Sequence, residues 1–186
     1  MDTILNKKHK VIIFALLFAV IFFTGISSNF SLVNSYIAKA VEKPEPLILN
    51  WLQFDEGILK AEKENKIILI QFFADGCSWC KKMEKEVYPN EEVKKILLEK
   101  FIIIKVNGSS NNKIVQNGEE ITEKKLAALF QVTGYPTTWF LEDKDKGIAP
   151  LPGYVPAEQF VTVLKYIGEE WYKKITFQEY VENNES

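Results

Sequence analysis

Ile67-Ile68-Leu69-Ile70-Gln71-Phe72-Phe73-Ala74-Asp75-Gly76-Cys77-Ser78-Trp79-Cys80-Lys81 passes from an almost unbroken apolar run, through a short turn, into a Cys-x-x-Cys pair. The run 67–73 is rich in β-branched and aromatic residues, which is how a central strand covered on both faces reads. Ala74-Asp75-Gly76 makes the turn. Helical composition begins at Cys77 to Cys80 and continues through 81–87, and Pro89 must interrupt or kink it. Asn90 can cap a continuation over Glu91–Lys100. The paired thiols therefore fall where a central strand passes into a helix.

That placement carries chemistry. Unsatisfied backbone N–H groups and the macrodipole at a helix N-terminus favour a thiolate, and the first cysteine of such a motif can fall from about 8.5 to between roughly 3.5 and 7.5. Cys77 is thus a candidate nucleophile, and Cys80, one turn on, is close enough to resolve a mixed disulfide. A purely structural staple gains little here, because a four-residue ring is worth about 2 kcal/mol against about 4.7 for a hundred-residue loop. Zinc wants three or four protein ligands, and these are the only cysteines, with the single histidine, His9, far upstream. No metal is expected, and no cofactor beyond the redox-active Cys77-Cys80 disulfide itself.

Outward from the motif, Val41-Glu42-Lys43-Pro44-Glu45-Pro46 reads as an extended linker. Asp55 is expected to cap a helix running to about Asn65. Residues 101–106 read as a second buried strand, 108–118 as a loop, and Thr122 as the cap of a helix whose Leu126, Leu129 and Phe130 share a face. After Gly134-Tyr135-Pro136 comes a strand over 137–141, a turn at 143–147 and a proline-bearing edge strand over 148–154. Pro156 suits the first position of a helix with Phe160, Val163, Leu164 and Ile167 on one face. Thr176-Phe177-Gln178-Glu179 can cap a short terminal helix. The alternation implies an α/β fold: a mixed sheet flanked by helices, with the site at the carboxyl ends of the strands.

At 186 residues, with 47% hydrophobic and 13% aromatic side chains, the chain has globular rather than disordered composition. Every basic residue is lysine, so bidentate guanidinium readout is missing and no nucleic-acid partner is expected. Setting aside Lys7, Lys8, Lys10, Lys39 and Asp2 takes the net charge from −2 to −5, a mildly acidic surface. Lys7, Lys8 and Lys10 precede an apolar run over 11–23, the layout of a signal peptide or a membrane anchor. Ala38-Lys39-Ala40 has the form of a cleavage site, and either outcome puts the remainder in an oxidising, extracytoplasmic compartment such as the periplasm. The expected organisation is signal or anchor with polar spacer over 1–40, linker over 41–46, a domain over 47–174 and a tail over 175–186.

The stretch from Ile70 to Lys81 resembles the active-site strand, loop and helix of thioredoxins, and Gly134-Tyr135-Pro136-Thr137 resembles their cis-proline loop. The resemblance covers about residues 50–170. Cys80-Lys81-Lys82-Met83-Glu84-Lys85, followed by Pro89-Asn90-Glu91-Glu92-Val93, is similar to SoxW-like thioredoxin-related proteins and to the C-terminal domain of the membrane thiol:disulfide interchange reductase. The resemblance implies a thioredoxin fold and a cis Tyr135-Pro136 bond, with the backbone of Tyr135 pairing with substrate beside the dithiol. It also implies a reductase of protein disulfides outside the cytoplasm, fed by a membrane electron-donor protein; the N-terminal segment, if retained, adds the membrane itself as a partner. Gln71 replaces the buried aspartate of thioredoxins, although Lys105 matches the lysine that accompanies it. Glu84 is the candidate substitute carboxylate for proton transfer, with Asp75 as a second, and Trp79 is expected on the apolar surface around the sulfurs. An oxidant or isomerase using the same residues, and a non-catalytic binding module, remain open on sequence grounds.

Overall fold

The computed structural model describes residues 47–184; the expected signal or anchor segment and the linker lie outside them. Leu52 bridges to Ile104 and leads into helix α1 (Phe54–Glu64), which is followed by strand β1 (Ile67–Phe73) and helices α2 (Ser78–Glu86) and α3 (Glu91–Lys100). Strands β2 (Phe101–Asn107), β3 (Lys113–Gln116) and β4 (Glu119–Thr122) precede helix α4 (Glu123–Leu129). Strands β5 (Thr137–Asp143) and β6 (Lys146–Pro152) and helices α5 (Ala157–Gly168) and α6 (Phe177–Asn184) complete the order. Among the described residues no helix is long and apolar enough to cross a membrane.

The main sheet has four strands in the order β2-β1-β5-β6, with β1 parallel to β2 and antiparallel to β5. As its composition requires, β1 is buried on both faces. Ile68, Ile70 and Phe72 meet Ile102, Ile104, Phe54, Ala61 and Leu126 on one side. Leu69 meets Ile103, Met83, Val87, Leu97, Phe140 and Phe160 on the other. Each such fully buried side chain contributes about 1.5–3 kcal/mol before conformational entropy is subtracted. Asn90 caps α3 by accepting from the Glu92 and Val93 N–H groups, so the chain breaks and restarts at Pro89 as its sequence demands.

Four expectations are corrected. Asp55 does not cap α1: Gln53 holds the cap position without a side-chain bond, and the Asp55 carboxylate accepts from the Val115 N–H at 2.9 Å instead. Residues 108–118 are not all loop, because β3 and β4 form a hairpin whose Ile114 and Ile121 enter the core. Leu129 does not share the inward face of Leu126; it is 57% exposed, one residue past the arc that meets the sheet. Pro156 stands at the cap of α5 rather than at its first helical position. The terminal helix forms as its capping box suggests, with the Thr176 N–H and hydroxyl donating to Glu179 at 2.8 and 2.7 Å.

Candidate active site

The parallel register puts the ends of β1 and β2 side by side, Phe73 against Asn107, and the Ala74-Asp75-Gly76 turn leaves from there into α2. Cys77 is the N-cap of α2 and its sulfur accepts from the Cys80 N–H at 3.0 Å. The two sulfurs are bonded at 2.08 Å, with the α-carbons 5.3 Å apart. Cys77 is half-buried while Cys80 is only 7% exposed. Cys77 is thus the more open residue of the pair, and the helix start is positioned to stabilise negative charge on the sulfur it caps.

The Tyr135-Pro136 bond is cis. Because β5 runs antiparallel to β1, with Phe72 opposite Thr137, this loop stands at the same end of the sheet as the dithiol. It is held there by the Gly153 N–H donating to the Pro136 carbonyl at 2.8 Å and by the Thr137 hydroxyl donating to the Gly134 carbonyl at 2.8 Å. Trp79 is 54% exposed and its ring stacks on Tyr154 at 5.6 Å between centroids, with the Lys82 ammonium over both rings. These contacts join the first turn of α2 to the segment that follows Gly153.

Beneath the site, Gln71 is buried and its side-chain carbonyl accepts from the Tyr88 hydroxyl at 2.5 Å and the Thr138 hydroxyl at 2.8 Å. The glutamine amide donates to the Phe72 carbonyl at 3.3 Å. Burial, reinforced by the Glu84 charge, raises the Tyr88 phenol well above its ordinary range, so it remains a proton donor to Gln71. Tyr88 and Thr138 were not flagged by sequence reasoning; both lie far from Gln71 in the chain and only the strand pairing and the break at Pro89 bring them in.

Lys105, opposite Gln71 in the ladder, extends its ammonium over Trp51 and Phe73 and pairs with Glu84 at 2.5 Å. Glu84 and Lys105 are therefore brought together, at the edge of the same face of the sheet. Asp75 is drawn instead toward the end of β2: its Oδ1 accepts from Asn107 Nδ2 at 3.0 Å and its N–H donates to the Ser109 hydroxyl at 3.0 Å. Phe72 is fully buried in the core, and Trp139, partly buried, packs against the same cluster. A concavity of about 560 Å³ between α1, the hairpin and the β5–β6 turn is lined by Asp55, Ile58, Leu59, Val115 and Lys144 and does not include the dithiol.

A four-stranded sheet with a helix-capping Cys-x-x-Cys opposite a cis-proline loop defines the thioredoxin class. Residues 54–168 match the thioredoxin-like domain family, and the chain belongs to it. Spermatogenesis-associated protein 20 of Homo sapiens is 31% identical over 124 residues, 62% of this chain but 15% of that protein, so the chain spans a small part of that relative's length. Thiol:disulfide interchange protein DsbD of Photorhabdus laumondii is 24% identical over 122 residues, 64% of this chain and 19% of its own. Disulfide bond reductase DsbH of Chlamydia pneumoniae is 27% identical over 111 residues, 58% of this chain and 64% of its own. Among solved structures, a thioredoxin-fold protein from Helicobacter pylori aligns with a TM-score of 0.55 and 27% identity, covering 66% of this chain and 88% of that one.

Proposed function

We propose that this chain is a thiol-disulfide oxidoreductase that reduces protein disulfides outside the cytoplasm, with Cys77 attacking and Cys80 resolving. The observation that carries the reading is the asymmetry of the pair: an accessible Cys77 whose sulfur caps α2, and a buried Cys80 whose N–H already points at it. In the reduced protein the Cys77 thiolate attacks one sulfur of a substrate disulfide, forming a mixed disulfide and releasing the other substrate sulfur as a thiolate. Cys80 then loses its proton and attacks the Cys77 sulfur. The second substrate sulfur leaves, two electrons have passed to the substrate, and the Cys77-Cys80 disulfide remains.

Glu84 is the proposed acceptor for the Cys80 proton, held by Lys105, since Gln71 cannot take one up. Trp79, Tyr135 and Pro136 are the proposed substrate contacts and Asp75 a group that tunes the dithiol. The reductive direction is supported by the name of the DsbH relative, and the extracytoplasmic setting by the lysine-flanked apolar run and the DsbD likeness. A membrane electron-donor protein would return the site to its dithiol form.

The test is insulin reduction together with the reduction potential of the Cys77-Cys80 couple. Turnover that vanishes in Cys77→Ser, with a potential near the thioredoxin value of about −270 mV, supports the proposal. A potential near about −120 mV identifies an oxidant and overturns the direction. Absence of turnover in the wild type identifies a binding module and overturns the activity.

A further inference from the structure

The turn that follows β2 is held from every side. The buried carboxylate of Glu123 accepts from the Asn107 N–H at 3.0 Å, and the Gly108 N–H continues the ladder by donating to the Phe73 carbonyl at 2.8 Å. The Ser109 N–H donates to Asn107 Oδ1 at 3.1 Å, and the Ser110 N–H to the Asn107 carbonyl at 2.9 Å. Through Ser109 the same turn accepts the Asp75 N–H, two residues before Cys77. Its backbone has no freedom to yield without disturbing the strand ends or the dithiol loop.

On its other side lies Tyr135, the residue before the cis-proline. Its phenol occupies the space where a side chain on residue 108 would project: a Cβ there would land on the hydroxyl, 2.6 Å from Cζ and 2.7 Å from Cε1. Tyr135 packs against the core cluster that includes Ile70 and Phe72, while its backbone belongs to the cis-proline loop.

We propose that Gly108 is a positioning residue: by lacking a side chain it seats the Tyr135 phenol, and that seat sets where the cis-proline loop stands against the Cys77 loop. The inference rests on the oxidoreductase reading above and assigns the turn after β2 a part in substrate docking. Since the turn is hydrogen-bonded on several sides, a side chain at 108 displaces the far end of the Tyr135 ring. On this proposal the ring, packed against the core, carries that displacement to the backbone of 135 and 136 rather than swinging aside. The sulfurs and their helix start are untouched. The defect is therefore one of holding an extended substrate, and misplacement on this scale costs roughly tenfold to hundredfold in kcat/KM.

The experiment compares Gly108→Ala, Tyr135→Ala and the double variant in full-chain protein. KM and kcat are measured for insulin reduction, and the pH profile of Cys77 alkylation by iodoacetamide is measured on the reduced protein. Gly108→Ala is expected to raise the insulin KM while leaving the alkylation profile where it is, and to add no penalty in the Tyr135→Ala background, where the ring it collides with is gone. A Gly108→Ala chain that fails to fold while the double variant folds supports the same collision. An unchanged KM, a shifted alkylation profile, or an equal penalty in both backgrounds overturns the proposal. A wild type that does not reduce insulin removes the oxidoreductase reading first and this inference with it, an outcome distinct from a Gly108 result against an active wild type.

Discussion

At the scale of single residues, the site replaces a titratable group with a fixed one. Gln71 has no proton to exchange, and its carbonyl is satisfied by Tyr88 and Thr138. Tyr88→Phe removes one of two donors to a buried oxygen and is expected to cost about 1 kcal/mol in urea denaturation, because the second donor prevents a fully unsatisfied group. With Glu84 as the proton acceptor for Cys80, Glu84→Gln is expected to slow the resolving step by about 10²-fold and to alter the pH profile of disulfide reduction. A profile identical to wild type would remove Glu84 from the mechanism. The two cysteines and the glutamate were visible in the sequence because the helical period places them a turn apart. Tyr88, Thr138 and the Asn107-Gly108-Ser109 turn were not, because their roles depend on strand pairing and chain return.

Among the elements, β5 is tied to the segment after α5 by Glu142, whose carboxylate bonds Lys146, Lys173 and Tyr172. The Lys146 and Lys173 bonds, then that of Tyr172, hold it at about 2, below its ordinary 4.5. A depressed carboxyl stabilises the fold above its unfolded value and loses that contribution as pH falls through its folded value. The loss falls between about pH 4.5 and about pH 2. Glu142→Gln is expected to lower the melting temperature at pH 7 and to flatten its decline over that acid window; an equal decline in both proteins would show that other carboxyls dominate. The β3–β4 hairpin shows what a reading by composition overlooks. Its turn is Asn117-Gly118, with φ of 51° and 81°, the dipeptide that two-residue hairpins favour because both positions need positive φ. The signal was present, but the polar residues around it read as loop.

For the molecule as a whole, stability resides in the two faces of the sheet and not in the Cys77-Cys80 ring. Reducing the disulfide is expected to leave the far-UV circular dichroism intact and to lower stability by no more than about 2 kcal/mol, read from urea midpoints with and without dithiothreitol. Collapse of the fold on reduction would show the bridge to be structural after all. The resemblance to thioredoxins paired the Cys-x-x-Cys with a distant Tyr-Pro, while the sequence by itself determined the buried central strand, the helix that starts at Cys77 and the caps at Asn90 and Thr122. Those features are local, written in side-chain period and cap chemistry. Only the tertiary structure decided which residues meet from opposite ends of the chain: Glu84 with Lys105, Asp75 with Ser109, Gln71 with Tyr88, and Gly108 beneath Tyr135. Strand order and register set these meetings, and no local pattern specifies which strand end will lie beside which loop.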